Sequence, residues 1–274
     1  MKKLNRRSKT VLLSVIIVLV LTGIYVLGIF LPEDAAAGSF LEAGQSPSLE
    51  HPFGTDALGR DLLMRTLKGM SVSITVGIAA SLISAVIAVF AGIAAASGSK
   101  YADAFINWVI DLVMSVPHTI LVILISFALG RGMKGLLVGI AATHWCSLAR
   151  LIRGEVLQLH TQQYVAVSRK LGKSGGWILV HHLLPHLAPQ FFTGLILLFP
   201  HAVLHEASVS FLGFGLSPEQ PAIGIILSES MRYLSAGMWW PAVLPGLMLV
   251  LIILLVDRLG EHLKMIMDPF HAQE

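Results

Sequence analysis

The chain of 274 residues is 55% hydrophobic and only 13% charged, which is about half the charged share of an ordinary soluble domain. Such a chain cannot cover a globule with polar surface, so we expect the lipid bilayer to be its solvent. Its net charge of +3 comes without a basic stripe that carries aromatic residues, so we expect no nucleic-acid partner. The single cysteine, Cys146, excludes an internal disulfide.

Six apolar runs are long enough to cross a hydrocarbon core, which takes about 20 residues each. They are 10–31, 70–97, 102–129, 135–151, 183–212 and 239–256. Backbone that faces lipid must satisfy its own hydrogen bonds, so these runs are predicted to be helices. The predicted fold class is therefore an all-α integral membrane bundle with six transmembrane helices.

The distribution of basic residues orients the predicted helices. With the N-terminus inside, the inner segments hold most of the 19 lysine and arginine residues. The N-terminal segment 1–9, the tail 259–274 and the 160–182 loop are therefore predicted to be cytoplasmic. Residues 32–69 form a predicted outer segment, and 70–258 form a core of five helices that includes the loop.

The 160–182 loop contains the sequence LGKSGGW, in which a glycine, a lysine and a serine follow the order that closes an ATP-binding Walker A loop. A Walker A loop requires a further glycine five residues before Gly172, and Val167 occupies that position. We therefore expect no nucleotide site and no bound cofactor in this chain. The basic and apolar residues of the loop instead predict a docking helix for a cytoplasmic partner, with a solvated connection as the alternative.

Part of this loop resembles a known signature. Ala166, Gly172 and Pro185 match the spacing of the EAA motif of ABC importer permeases. The sequence departs from that motif at Ala166, where glutamate is usual, and at His182, where isoleucine is usual.

Three further segments resemble the dipeptide, oligopeptide and nickel branch of these permeases. They are HPFGTDALGRD at 51–61, EASVSFLGFGL at 206–216 and LGEHLKMIMDP at 259–269. The resemblance implies a type I ABC importer permease that has no ATPase site of its own and performs no covalent chemistry. The residues that it implies for coupling to an ATPase are Tyr164, Ala166, Ser168, Arg169, Gly172, Lys173 and Trp177.

The resemblance also implies partners and a location. The partners would be a second homologous permease subunit in a heterodimer, two cytoplasmic ATPase subunits that use ATP and Mg²⁺, and an extracytoplasmic substrate-binding protein. The chain would lie among the lipids of a bacterial inner membrane, with both termini in the cytoplasm.

Ionisable side chains inside spanning helices are costly and mark a cavity or a partner. We predict that His118, His144, His205 and Glu206 line a translocation pathway. The sequence around His144 and His205 resembles nickel-type members, and imidazole is a favoured nickel ligand. These two histidines are thus predicted to contact a metal transiently, with hydrogen bonds between helices as the alternative.

The sequence therefore predicts half of an import pathway for nickel or a related transition metal, carried as a chelate. Two alternatives stay open. The first is a dipeptide or oligopeptide permease of the same family. The second, more distant, is an ion-driven secondary transporter, which the polar residues at membrane depth also fit.

Overall fold

The computed structural model describes residues 6–32 and 38–267. Parts of the predicted segments 1–9, 32–69 and 259–274 therefore lie outside the described residues. The helices, in chain order, are α1 (Arg6–Phe30), α2 (Leu62–Ser97), α3 (Lys100–Ser115), α4 (His118–Ala128), α5 (Gly132–His160), α6 (Gln163–Lys170), α7 (Gly175–Ile178), α8 (Leu184–Phe211), α9 (Ile223–Leu234) and α10 (Trp240–Met267). A 3-10 turn at Phe40–Glu42 and a π-helical turn at Leu179–Leu183 complete the elements of these residues.

The all-α membrane fold is confirmed. Within the described residues, five helices are long and apolar enough to cross a membrane, or six if the bent pair α3 and α4 forms one span. Helix α1 shows why a bilayer is needed, since large apolar side chains such as Leu19, Leu27 and Phe30 are exposed along it. These side chains avoid water only if lipid or another subunit covers them.

The third predicted span, 102–129, is not one straight helix. It breaks into α3 and α4, which meet at an angle of 96°. Val116 precedes Pro117 and adopts extended backbone (φ −98°, ψ 136°), because the proline ring clashes with a helical residue before it. The break places His118 at the first turn of α4.

Several other spans are longer than predicted, and α2 and α5 show the reasons. Helix α2 begins at Leu62 rather than at Met70, because the Asp61 carboxylate caps it and accepts a hydrogen bond from the Met64 backbone N–H at 2.9 Å. Helix α5 continues beyond the predicted end of its run at 151, because Ile152, Val156 and Leu159 extend a buried stripe at helical spacing.

Helix α2 lies at the centre of the bundle and packs closely against α5. Ser84, Ala88 and Gly92 stand four residues apart and are buried on one face. A Cβ atom at Gly92 would lie 2.8 Å from the carbonyl oxygen of Ala149. Small residues at this spacing let two membrane helices approach closely, and they hold α5, which carries His144, against α2.

The bundle has two distinct ends. At one end, the first turns of α1 lie beside the last turns of α10, where Ser14 Oγ and His262 Nδ1 are 3.2 Å apart. At the opposite end, Trp240 at the start of α10 donates its indole N–H to the Thr55 carbonyl at 3.1 Å. We call the first the loop end, because α6 and α7 follow α5 there, and the second the outer-segment end.

Candidate functional site

A groove with a volume of about 400 Å³ opens between α4, α5, α8 and the loop end of α10. Its wall is unusually polar for the interior of a membrane bundle. Besides histidines, its lining includes Thr143, Ser147, Gln190 and Thr193. Polar side chains gathered at membrane depth are typical of a solvated pathway.

Three histidines that the sequence predicted for a pathway meet in this groove. The ring centroids of His144 and His205 are 4.8 Å apart, those of His118 and His144 are 5.6 Å apart, and those of His118 and His205 are 6.3 Å apart. The three side chains come from α5, α8 and α4. His201, one helical turn before His205, lines the same wall.

The His144 ring is held in one orientation. Its Nδ1 atom lies 2.9 Å from the Ile140 carbonyl oxygen and 2.9 Å from Thr143 Oγ1. A carbonyl oxygen only accepts, so Nδ1 donates to it. The Nδ1 atom of His118 is buried and has no hydrogen-bond partner among the described residues.

Glu206 does not join this groove. Its side chain is fully buried, with Oε2 accepting a hydrogen bond from Ser73 Oγ at 2.6 Å and Oε1 accepting one from Ser210 Oγ at 3.1 Å. Because Ser73 belongs to α2, the carboxyl group faces the α2–α8 contact. It pairs with polar groups between packed helices, and its predicted place in the translocation pathway stays a prediction.

The predicted metal contact gains no support from the geometry. No group of three or more His, Cys, Asp and Glu side chains in 6–32 and 38–267 is placed to hold a metal ion. The predicted contact at His144 and His205 stays untested.

The LGKSGGW sequence forms a turn and a helix cap. Gly172 has φ +77°, a conformation that side chains with a Cβ rarely adopt, and it ends α6. Ser174 caps α7, with Oγ accepting a hydrogen bond from the Trp177 backbone N–H at 3.3 Å. The ammonium group of Lys173 lies 4.8 Å from the centre of the Trp177 ring. The residues that suggested a phosphate loop therefore have local roles.

One face of the loop packs against the bundle. Val165 and Ile178 are buried in the same apolar cluster as α5 and α8. Ser168 Oγ lies 2.9 Å from His182 Nε2, and the Tyr164 ring centre is 5.3 Å from that of His182. The histidine that replaces the usual isoleucine thus contacts two residues of α6.

The outward face of the loop is apolar and basic at once. Val167 is 53% exposed and Leu171 is 73% exposed, beside the exposed side chains of Arg169 and Lys173. Ala166 is exposed as well. Uncovered apolar side chains rimmed by charge are typical of a surface that binds another protein.

An ionic network lies at the outer-segment end. The Asp56 Oδ2 atom accepts hydrogen bonds from Arg60 Nε at 2.6 Å and from Arg65 Nη1 at 2.7 Å. Both arginines also donate to Glu229 Oε2 at 2.9 Å. Glu229 could not be predicted from the sequence, because nothing in the spacing along the chain connects α9 with the 51–61 segment.

Comparisons with known proteins identify the family. A family model described as "Binding-protein-dependent transport system inner membrane component" matches residues 88–265. The chain belongs to this family of ABC importer permeases. This permease is 31% identical over 266 residues to the dipeptide transport system permease protein DppC of Bacillus subtilis (strain 168), which covers 96% of this chain and 83% of that protein.

Other relatives agree. A putative peptide transport system permease protein of Brucella suis biovar 1 is 34% identical over 225 residues, covering 82% of this chain and 75% of that protein. The oligopeptide transport system permease protein OppC of Bacillus subtilis (strain 168) is 30% identical, covering 96% of this chain and 87% of that protein. These relatives carry peptide-permease names, so the nickel branch is not supported.

The fold also matches a solved transporter. A chain of the MetNI methionine ABC transporter in an inward-facing conformation aligns with a TM-score of 0.56 at 18% identity, over 74% of this permease and 96% of that chain. The predicted type I importer fold is thereby confirmed. Members of this family are membrane subunits that work with ATPase subunits and a substrate-binding protein, and they are not themselves ATPases.

Proposed function

We propose that this permease forms half of an import pathway for dipeptides or oligopeptides, and that the polar groove is its share of that pathway. The observation that supports this proposal most directly is the polar lining of the groove. Its hydroxyl, amide and imidazole groups offer hydrogen-bond donors and acceptors, and no carboxylate is among the lining residues that the structure describes. A peptide backbone presents the matching N–H and C=O groups. The peptide-permease names of the relatives support this substrate class over nickel.

The second part of the proposal concerns energy. The exposed face of α6 and the Gly172 turn docks on a cytoplasmic ATPase subunit, with Val167 and Leu171 as apolar anchors. Tyr164, Ser168 and Trp177 carry the movement to the bundle through their contacts with His181 and His182. Closure of the ATPase pair then moves the loop and tips the groove between outward and inward states.

The orientation follows from the two ends of the bundle. The loop end also holds the start of α1 and the end of α10, so docking to a cytoplasmic ATPase places both ends of the described chain on the cytoplasmic side. The outer-segment end, with 51–61 and α9, then faces the substrate-binding protein. A second permease subunit covers the open side of the groove.

The test is uptake by the assembled transporter in proteoliposomes, with radiolabelled dipeptide and radioactive nickel offered in parallel. We expect dipeptide uptake that requires ATP and the binding protein. Uptake of nickel without uptake of peptide would overturn the peptide assignment. Peptide uptake that runs on an ion gradient without ATP would overturn the proposed energy source.

A further inference from the structure

We propose that His144 accepts a hydrogen bond from the N-terminal ammonium group of the transported peptide, and that this contact favours peptides with a free amine. The inference rests on the proposed function, since it names one contact within the same groove. The ligand class is a protonated amine that is held by neutral imidazole nitrogen.

The tautomer of His144 decides what the ring offers to the groove. The Ile140 carbonyl oxygen accepts a hydrogen bond from Nδ1–H at 2.9 Å, and a neutral imidazole has one N–H only. Charged side chains are costly at membrane depth, so we infer that His144 binds the peptide as a neutral imidazole. Its Nε2 atom then carries a lone pair, and this atom has no hydrogen-bond partner within residues 6–32 and 38–267.

Two other imidazoles extend this acceptor into a cluster. His205 and His118 both lie beside His144, with ring centres 4.8 and 5.6 Å from it and 6.3 Å from each other. The buried Nδ1 atom of His118 lacks a partner in the described part of the chain. A buried polar atom without a partner can form a hydrogen bond with a group that enters the groove.

The charges of the described residues around the cluster favour a contact with a neutral acceptor over an ion pair. Within residues 6–32 and 38–267, no Asp or Glu lines the groove. Glu155 lies beyond the lining and accepts a hydrogen bond from Gln190 at 3.1 Å, while Glu206 faces Ser73 on α2. The cation of the groove, Lys264, comes from the loop end of α10.

This arrangement suits a substrate that must leave again. Neutral acceptors solvate an ammonium group as water does, without the strong attraction of a carboxylate. Transport requires binding that is favourable enough for entry and weak enough for release. A peptide carboxylate would instead need N–H donors, and His144 has already used its one neutral donor on Ile140.

The experiment compares dialanine, N-acetyl-dialanine and dialanine amide in proteoliposomes that contain the complete transporter and its binding protein. In the wild type we expect the free amine to be preferred, and in His144→Leu we expect that preference to fall by about tenfold, as for the loss of a charge-assisted hydrogen bond. The preference between free acid and amide should not change. His186→Leu on α8, at an exposed histidine that does not line the groove, serves as the matched control and should alter the amine preference by less than about twofold.

A second measurement does not depend on the binding protein. Solid-state NMR of the histidine nitrogens in the transporter complex should show the His144 Nε2 signal move on addition of dialanine but not of N-acetyl-dialanine. Unchanged preference in His144→Leu, or equal shifts with both peptides, would overturn the inference and leave peptide transport standing. A shift of the His144 Nε2 signal on addition of Ni²⁺ alone would show that this nitrogen binds a metal and would overturn the ammonium contact. Absence of any peptide uptake in the wild type would instead overturn the proposed function.

Discussion

Arg65 on α2 and Glu229 on α9 form an ion pair at the outer-segment end, with Nη2 and Oε2 2.9 Å apart. Arg65 is only 5% exposed and also contacts Asp56. Two elements separated by more than half of the chain are thereby joined through one buried guanidinium. The network explains why the 51–61 segment needs both of its acidic residues, since Asp61 caps α2 while Asp56 binds the arginines.

Asp56→Asn should destabilise this end of the permease. The substitution removes the negative charge from two arginines, one of which is buried, and loss of one partner of a buried ion pair costs about 3 kcal/mol. We expect the thermal unfolding midpoint of the purified complex to fall by several degrees. Glu219→Gln, at an exposed position nearby, is the control and should leave the midpoint unchanged. Equal midpoints for the two variants would show that the network contributes nothing to stability.

Gly172→Ala should uncouple transport from ATP hydrolysis. The backbone at this position has φ +77°, which costs a residue with a Cβ about 1–2 kcal/mol, so α6 and α7 would be displaced from each other. The measurement is the stimulation of ATPase activity by the loaded binding protein. Gly176→Ala is the matched control, because this glycine lies inside α7 and has open space around it. Full stimulation in Gly172→Ala would contradict a coupling role for the turn.

Lys173→Ala should leave nucleotide binding unaffected. The Lys173 ammonium group lies over the Trp177 ring at 4.8 Å, and Val167 stands where a phosphate loop needs its first glycine. We expect the Kd of the assembled transporter for ATP to change by less than about twofold. A large loss of ATP affinity would restore the phosphate-loop interpretation of LGKSGGW.

The outer segment should be more stable at low pH than at high pH. The Asp61 carboxylate, 2.8 Å from His51 Nδ1, raises the pKa of His51 above 6.5, and Glu42 and Glu50 raise that pKa further. A raised folded-state pKa gives stability that is fully present below about pH 6.5 and is lost as the pH rises through the folded-state value. Hydrogen-exchange protection of 38–61 should therefore fall between about pH 5.5 and about pH 8.5.

The control for this pH effect is His51→Gln, which keeps a hydrogen-bonding side chain without a titration in this range. We expect protection of 38–61 in this variant to be the same at the two pH values. If protection of 38–61 in the wild type did not depend on pH, His51 would not contribute to the stability of this segment.

Much of the fold could be predicted from the sequence, because lipid imposes a length and an apolar composition on each span. The 96° break at Pro117 could not, since its size depends on how α4 packs against α5 and α8. Helix α9 was also missed, because its 12 residues are too few to cross a membrane. Its position depends on Arg60 and Arg65, which bind Glu229.

The candidate site was predicted in part. His118, His144 and His205 were selected as costly residues at membrane depth, and they do meet in one groove. Their meeting depends on the register of three helices, which hydropathy does not determine. Glu206 satisfied the same sequence criterion but faces α2, because side chains one residue apart on a helix point in different directions.

The central claim is that the groove carries the substrate, and Ser147→Trp tests it most directly. Ser147 is exposed on the groove wall of α5, so an indole ring there fills the path without overpacking the core. Val138→Trp, at a side chain on the same helix that is 40% exposed and does not line the groove, is the matched control. We expect ATP-driven dipeptide uptake to fall by more than about tenfold in Ser147→Trp and by less than about twofold in Val138→Trp. Dipeptide uptake at the wild-type rate in a correctly assembled Ser147→Trp transporter would contradict the claim.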